Sequence, residues 1–201
     1  MRRALAVSLL LTVAAVAVAV AGCGGNGTPV SVPATVRAPP QTARLGWKES
    51  YPAEGATAAL VFGVSSFTVT RNGWTADISV ENRSQAGWEV GDPRYAAKRA
   101  FGVLLFPNND LDELERRNRS GDLPAIRQAM IFRPALPLVL RPGKTWKGTI
   151  ASPGALAGGL WVRLSFGPLT SIGKPPEGSQ SPVVWFTDHA YRLDVIEAEP
   201  A

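Results

Sequence analysis

The stretch Trp74-Thr75-Ala76-Asp77-Ile78-Ser79-Val80-Glu81 decides how the rest of the chain is read. Trp74, Ala76, Ile78 and Val80 occupy every second position, with Thr75, Asp77, Ser79 and Glu81 between and after them. Successive side chains of an extended backbone point to opposite faces, so this pattern predicts a strand with one dry and one wet face. Half-wet strands belong to antiparallel sheets, because parallel sheets are covered on both sides. Working outward, Arg71-Asn72-Gly73 predicts a tight hairpin, since Asn and Gly both take positive φ cheaply. Asn82-Arg83-Ser84 supplies polar turn formers on the other side.

Further strands are predicted at residues 60–62, 67–70, 100–106, 129–132, 137–140, 145–150, 160–166 and 183–193, the last one bent or paired at both ends. Arg141-Pro142-Gly143-Lys144 has Pro then Gly at the centre of a type II turn. Short strands separated by turn signals predict an all-β sandwich. The one helical stretch is 110–119 (DLDELERRNR), capped by Asn109 or Asp110. Acids fill its first turn and Arg116, Arg117 and Arg119 its last, which complements the helix dipole.

A resemblance rests on these residues. A hydrophobic strand and tight turn lead to a strand ending in Val80-Glu81-Asn82 with Ser84. After a long loop come Leu140, Pro142-Gly143, Thr145-Trp146 and Gly148. Over roughly residues 58–193 this grammar resembles immunoglobulin-like accessory domains of exported bacterial proteins. The resemblance implies an all-β, immunoglobulin-like antiparallel β-sandwich with one short inserted helix, and no particular activity. The inserted helix and the lack of a Cys–Trp–Cys core depart from antibody-type domains.

The N-terminus carries the address. Met1-Arg2-Arg3 precedes an uncharged stretch over residues 4–20, then Val20-Ala21-Gly22-Cys23. A basic segment, an apolar run and small residues make a secretory signal. The last four residues resemble the lipobox of bacterial lipoproteins and contain the only Cys of the chain. That resemblance implies removal of residues 1–22, lipidation of Cys23 and attachment to the cell membrane, facing outside the cytoplasm. Two or more acyl chains hold stably where one binds reversibly. An uncleaved membrane anchor and an ordinary secreted product are the alternatives. Residues 23–45, with four Pro and three Gly between Gly24 and Arg44, read as a flexible spacer. Residues 46–201 then form one sandwich domain, with all six Trp in it.

Composition narrows the chemistry. The chain has 201 residues, 45% hydrophobic and 18% charged, which excludes a fully disordered chain. One Cys, one His and two Met exclude most thiol and metal chemistry, and no cofactor is implied. Losing Arg2 and Arg3 takes the formal charge from +5 to +3. That balance favours lipid head groups or acidic wall polymers over nucleic acid, since its one dense basic group ends an acidic helix.

Candidate residues follow. His189 has Asp188 beside it, but neighbours on a strand point apart, and no G-x-S-x-G elbow exists. It reads as a structural or surface histidine. Asn108-x-Asp110-x-Asp112 opens like a calcium loop, yet Glu113 stands where that loop needs Gly, so a capped helix is expected. Trp74 and Trp146 fall on strand patterns and read as core. Trp88, in the loop that ends at Tyr95, either folds back onto the sandwich or stacks on a sugar or partner. Trp88, Tyr95, Arg116, Arg117 and Arg119 form the candidate binding set. The expected function is a non-catalytic, lipid-anchored binding or accessory module contacting an envelope protein or wall polymer. The alternatives are an envelope hydrolase using His189 and a mechanical spacer or assembly element.

Overall fold

A computed structural model describes residues 36–52, 57–90 and 101–195. Cys23, Tyr95 and the first part of the spacer lie outside the described residues. The elements in chain order are β1 (Gln41–Tyr51), β2 (Leu60–Thr70), β3 (Gly73–Asn82), β4 (Trp88–Val90), β5 (Gly102–Phe106), α1 (Leu111–Ser120), β6 (Arg127–Gln128), β7 (Ile131–Arg133), β8 (Val139–Leu140), β9 (Thr145–Pro153), β10 (Trp161–Ser171), β11 (Val183–Phe186) and β12 (Tyr191–Arg192).

The alternation of β3 is expressed as its sequence predicts. Trp74, Ala76, Ile78 and Val80 are buried, while Asp77 and its outward neighbours face solvent. One sheet runs β1-β2-β3-β9-β7, antiparallel throughout. The other is built on β10, which pairs β5 along its first half and β4 at its end. On its other side β10 pairs β12 and then β11, so the bent final segment pairs at both ends. The order β2-β3-β9-β7 facing β4/β5-β10-β11/β12 is the A-B-E-D and C-F-G order of an immunoglobulin constant-type sandwich, with β1 added outside the first strand. The fold is an all-β antiparallel sandwich with one inserted helix.

Several local expectations resolve differently. Residues 60–62 and 67–70 belong to one strand, β2, interrupted by a bulge between Val64 and Ser66. The hairpin before β3 turns on Arg71 and Asn72, and neither takes positive φ. Gly73 is already in the ladder, where a Cβ would lie 2.5 Å from the Ser152 carbonyl oxygen. Close approach of β9, not turn conformation, explains that glycine. Gly143, at φ +68, does occupy the position of the type II turn that needs it. Strand β1 begins at Gln41, so residues 41–45 of the compositional spacer are strand, with Leu45 packed on the core.

Buried side chains of both sheets form one core, from Phe62, Phe67 and Trp74 across to Phe101, Leu164 and Phe166. A second cluster lies outside the β10 sheet, where Leu114 of α1 packs with Leu104 and Phe106. Asp110 caps α1 by accepting from the Glu113 amide at 3.1 Å, and Gly121 closes it at φ 72.

Asn82 joins the sheets. It is fully buried, and its Nδ2 donates to the Leu140 and Ala86 carbonyls at 3.0 and 2.8 Å. Its Oδ1 accepts from the Ser84 amide and hydroxyl. A buried amide with every bond made becomes costly when its partners are orphaned. Asn82→Ala is expected to lower unfolding stability by about 2–3 kcal/mol, read as a lower urea midpoint at unchanged slope; an unchanged midpoint would refute the joint.

Candidate functional site

Of its two readings, Trp88 takes the one in which it folds back onto the sandwich, and so it leaves the candidate binding set. It lies on β4 with 0% exposure, packed in the core, and its Nε1 donates to Ser84 Oγ at 3.1 Å. No face remains for a sugar. The arginines are also engaged or dispersed. Arg117 pairs with Glu113 at 2.7 Å and lies over the Phe106 ring, pinning α1 to its sheet. Arg119 reaches Glu115 at 3.5 Å, and Arg116 is exposed. Trp88 has no exposed surface, so these arginines share no patch with it. Tyr95 and Cys23 lie outside the described residues.

His189 is better placed than its sequence neighbours indicate. Its orienting carboxylate is Glu49 of β1, from the far end of the chain. Glu49 faces inward because β1 alternates, and its side chain is only 6% exposed. It accepts from Trp185 Nε1 at 2.8 Å, the Asp188 amide at 3.0 Å and the His189 amide at 3.1 Å. It also holds His189 Nδ1 at 2.8 Å, and the imidazole, 57% exposed, stacks on Trp47. From behind, buried Arg163 donates to the Thr187 and Asp188 carbonyls and to Asn109 Oδ1. Burial pulls that guanidinium below its ordinary value, against the attraction of Asp188 and Glu49. Two more inward side chains of β1 continue the clasp. Gln41 Oε1 accepts from Tyr191 Oη at 2.9 Å and the Asp194 amide, and Tyr51 Oη accepts from the Gln180 amide.

The outward residues of the same sheet build something else. An open trough of about 710 Å³ lies on the outer face of β1, β2, β3 and β9, lined by Lys48, Gly63, Asp77, Ser79, Glu81 and Lys147 together with Trp47, Val61, Val64 and Ile78. Its centre is one ladder row, in which Lys48 pairs Gly63, Gly63 pairs Ser79 and Ser79 pairs Lys147. The bulges of β1 and β2 fall together beside it, where Ser65 and Ser66 oppose Asp77. Bulges bend a strand and raise its local twist, which shapes this rim. Asp77 accepts from Thr149 at 2.6 Å and Ser66 at 2.7 Å, and these bonds draw its carboxyl below the ordinary range. Glu81 is lowered first by its bonds from Arg83, with Lys48 and Lys147 adding attraction.

Among the described residues no group of three or more His, Cys, Asp or Glu could hold a metal ion, and no helix is long and apolar enough to cross a membrane. No family model matches the chain, and neither a curated protein nor a solved structure matches it.

One consequence of the clasp is measurable. Burial, and then the Glu49 carboxylate, push the Asp188 carboxyl above the ordinary aspartate range. The folded state therefore holds that proton more tightly than the unfolded chain, and the ionised form costs stability at neutral pH. Asp188→Asn is expected to raise the melting temperature at pH 7, with the gain fading as pH falls toward about 4. A variant that melts lower at pH 7 would contradict this.

Proposed function

We propose that the chain is a lipid-anchored, extracytoplasmic binding or accessory module that contacts a cell-wall polymer or envelope protein through the outer face of its first sheet. The trough carries this reading. A sheet face that served only solubility would need no concavity, whereas this one gathers cations, carboxylates and hydroxyls around a glycine floor. The lipobox resemblance at Val20–Cys23 supports the anchor.

Cys23→Ser is expected to move the protein from the membrane fraction to the medium or the soluble fraction. Lys48→Glu with Lys147→Glu is expected to abolish retention of the anchored protein on isolated cell walls without changing its melting temperature. Membrane association that survives Cys23→Ser would overturn the anchor, and wall retention indifferent to the lysines would overturn the trough.

The Glu49–His189 pair favours a second reading, an envelope hydrolase. A carboxylate on Nδ1 fixes the imidazole and leaves its other nitrogen outward, the arrangement of a general base. If that reading holds, His189→Ala abolishes a wall-hydrolysing activity that the lysine variants retain. Under the binding reading, purified protein releases no soluble fragment from cell walls, and His189→Ala leaves wall retention intact.

A further inference from the structure

The trough supports a statement about what it binds, which rests on the binding reading above. Gly63 sits mid-strand without positive φ, so backbone conformation does not require it. A Cβ there would lie 2.5 Å from Ser79 Oγ, so the glycine leaves room for that hydroxyl. Gly in a strand interior is destabilising relative to Ala and often marks the close approach of a ligand. Ser79 Oγ bonds to no described residue, nor do the Lys48 and Lys147 ammonium groups form a hydrogen bond or ion pair with one. A hydroxyl without a described partner thus lies in one row with two lysines that make no direct contact with an acid, although both attract Glu81 in the next row. Three strand spacings separate the lysine Cα atoms, about 14 Å. Two four-carbon stems are long enough to set their charges on opposite sides of a single anion above Ser79.

The flanking rows limit what that anion belongs to. Glu81 lies on one side and Asp77 on the other, and both are ionised and held in place by Arg83, Ser66 and Thr149. Each repels a second negative group one row away while its spare lone pairs accept from hydroxyls. Thr145 and Thr149 add hydroxyls along the same face. We propose that the Lys48–Gly63–Ser79–Lys147 row is a binding site for a single phosphate group carried on a hydroxyl-rich polyol or sugar. Lysine binds phosphate as a point charge, and the neighbouring acids favour charges spaced apart over a densely sulfated or carboxylated chain. The same chemistry occurs in a polyol-phosphate wall polymer and in a glycerophospholipid head group.

The test uses the full chain in neutral phosphatidylcholine nanodiscs, titrated calorimetrically with glycerol 3-phosphate, sodium phosphate and maltotriose. Glycerol 3-phosphate is expected to bind, more weakly as salt rises, and more tightly than maltotriose. Lys48→Ala and Lys147→Ala should each weaken it about tenfold, and Ser79→Ala several-fold, at unchanged melting temperature. Lys174→Ala, an exposed lysine elsewhere, should leave it unchanged. Nanodiscs containing phosphatidylglycerol separate the sources. If they suppress the titration, the phosphate is a lipid head group; if they do not, it is a soluble or polymer phosphate. Binding indifferent to both lysines overturns the proposal, as does failure of every probe to bind. Maltotriose binding that Ser79→Ala weakens while glycerol 3-phosphate fails to bind overturns the phosphate and leaves the trough reading intact. The trough itself falls only if wall retention ignores the lysines.

Discussion

The carboxylate of Glu49 is the constraint around which this sandwich closes. A buried charge is tolerated only when its lone pairs are satisfied, and Glu49 satisfies them with an indole, two backbone amides and an imidazole. All four partners come from residues 185–189, so the bond set can form only when the added first strand lies against the end of the chain. Gln41 and Tyr51 make the same connection above and below it. A domain whose described residues contain no cysteine has no disulfide to hold its sheets. Here hydrogen bonds to inward polar side chains of β1 close one side of the stack, beside an apolar core. The opposite side is closed by residues 127–140, which pass from β5 to β9 to β4 through β6, β7 and β8.

What could be read from the sequence depended on how local its cause was. The alternation of β3, the Pro142-Gly143 turn and the Asp110 cap each arise within a few residues, and each is present. The fold class followed, because many short strands with turn signals have few other packings. Trp88 was ambiguous because its neighbours are Gly and charged residues, which suit a loop. Its burial comes from pairing with β10 and β8, more than fifty residues away. Residues 41–45 carry the composition of a linker, and only the ladder with β2 reveals them as strand.

The site was less legible still, for a physical reason. Lys48, Gly63, Ser79 and Lys147 are spread over a hundred residues and form no motif along the chain. Register alone aligns them, and register depends on two bulges that no propensity scale would place. Glu49 and His189 are likewise a pair made by topology. The rule that Asp188 and His189 point apart was sound, but the relevant acid came from another strand. The one available signal was the alternation of β1 itself: from Trp47 onward, odd positions turn inward and even positions outward.

That alternation links the clasp to the trough. Glu49 and Lys48 are consecutive, so fixing one against the C-terminal segment fixes the other on the outer face. The strand that carries them is held at its start, where Gln41 accepts from Tyr191 and Asp194. Ahead of β1, residues 36–38 are already docked on the domain, with the Ala38 amide donating to the Leu156 carbonyl and the Gly158 amide to the Val36 carbonyl. If β1 loosened, Lys48 would leave the row, and the remaining lysine would face the trough without its counterpart. A ligand gripped by both lysines bridges β1 to β9 across the sheet and so opposes that loosening. Binding that depends on an intact β1 stabilises β1 by the same free energy, since the coupling is reciprocal.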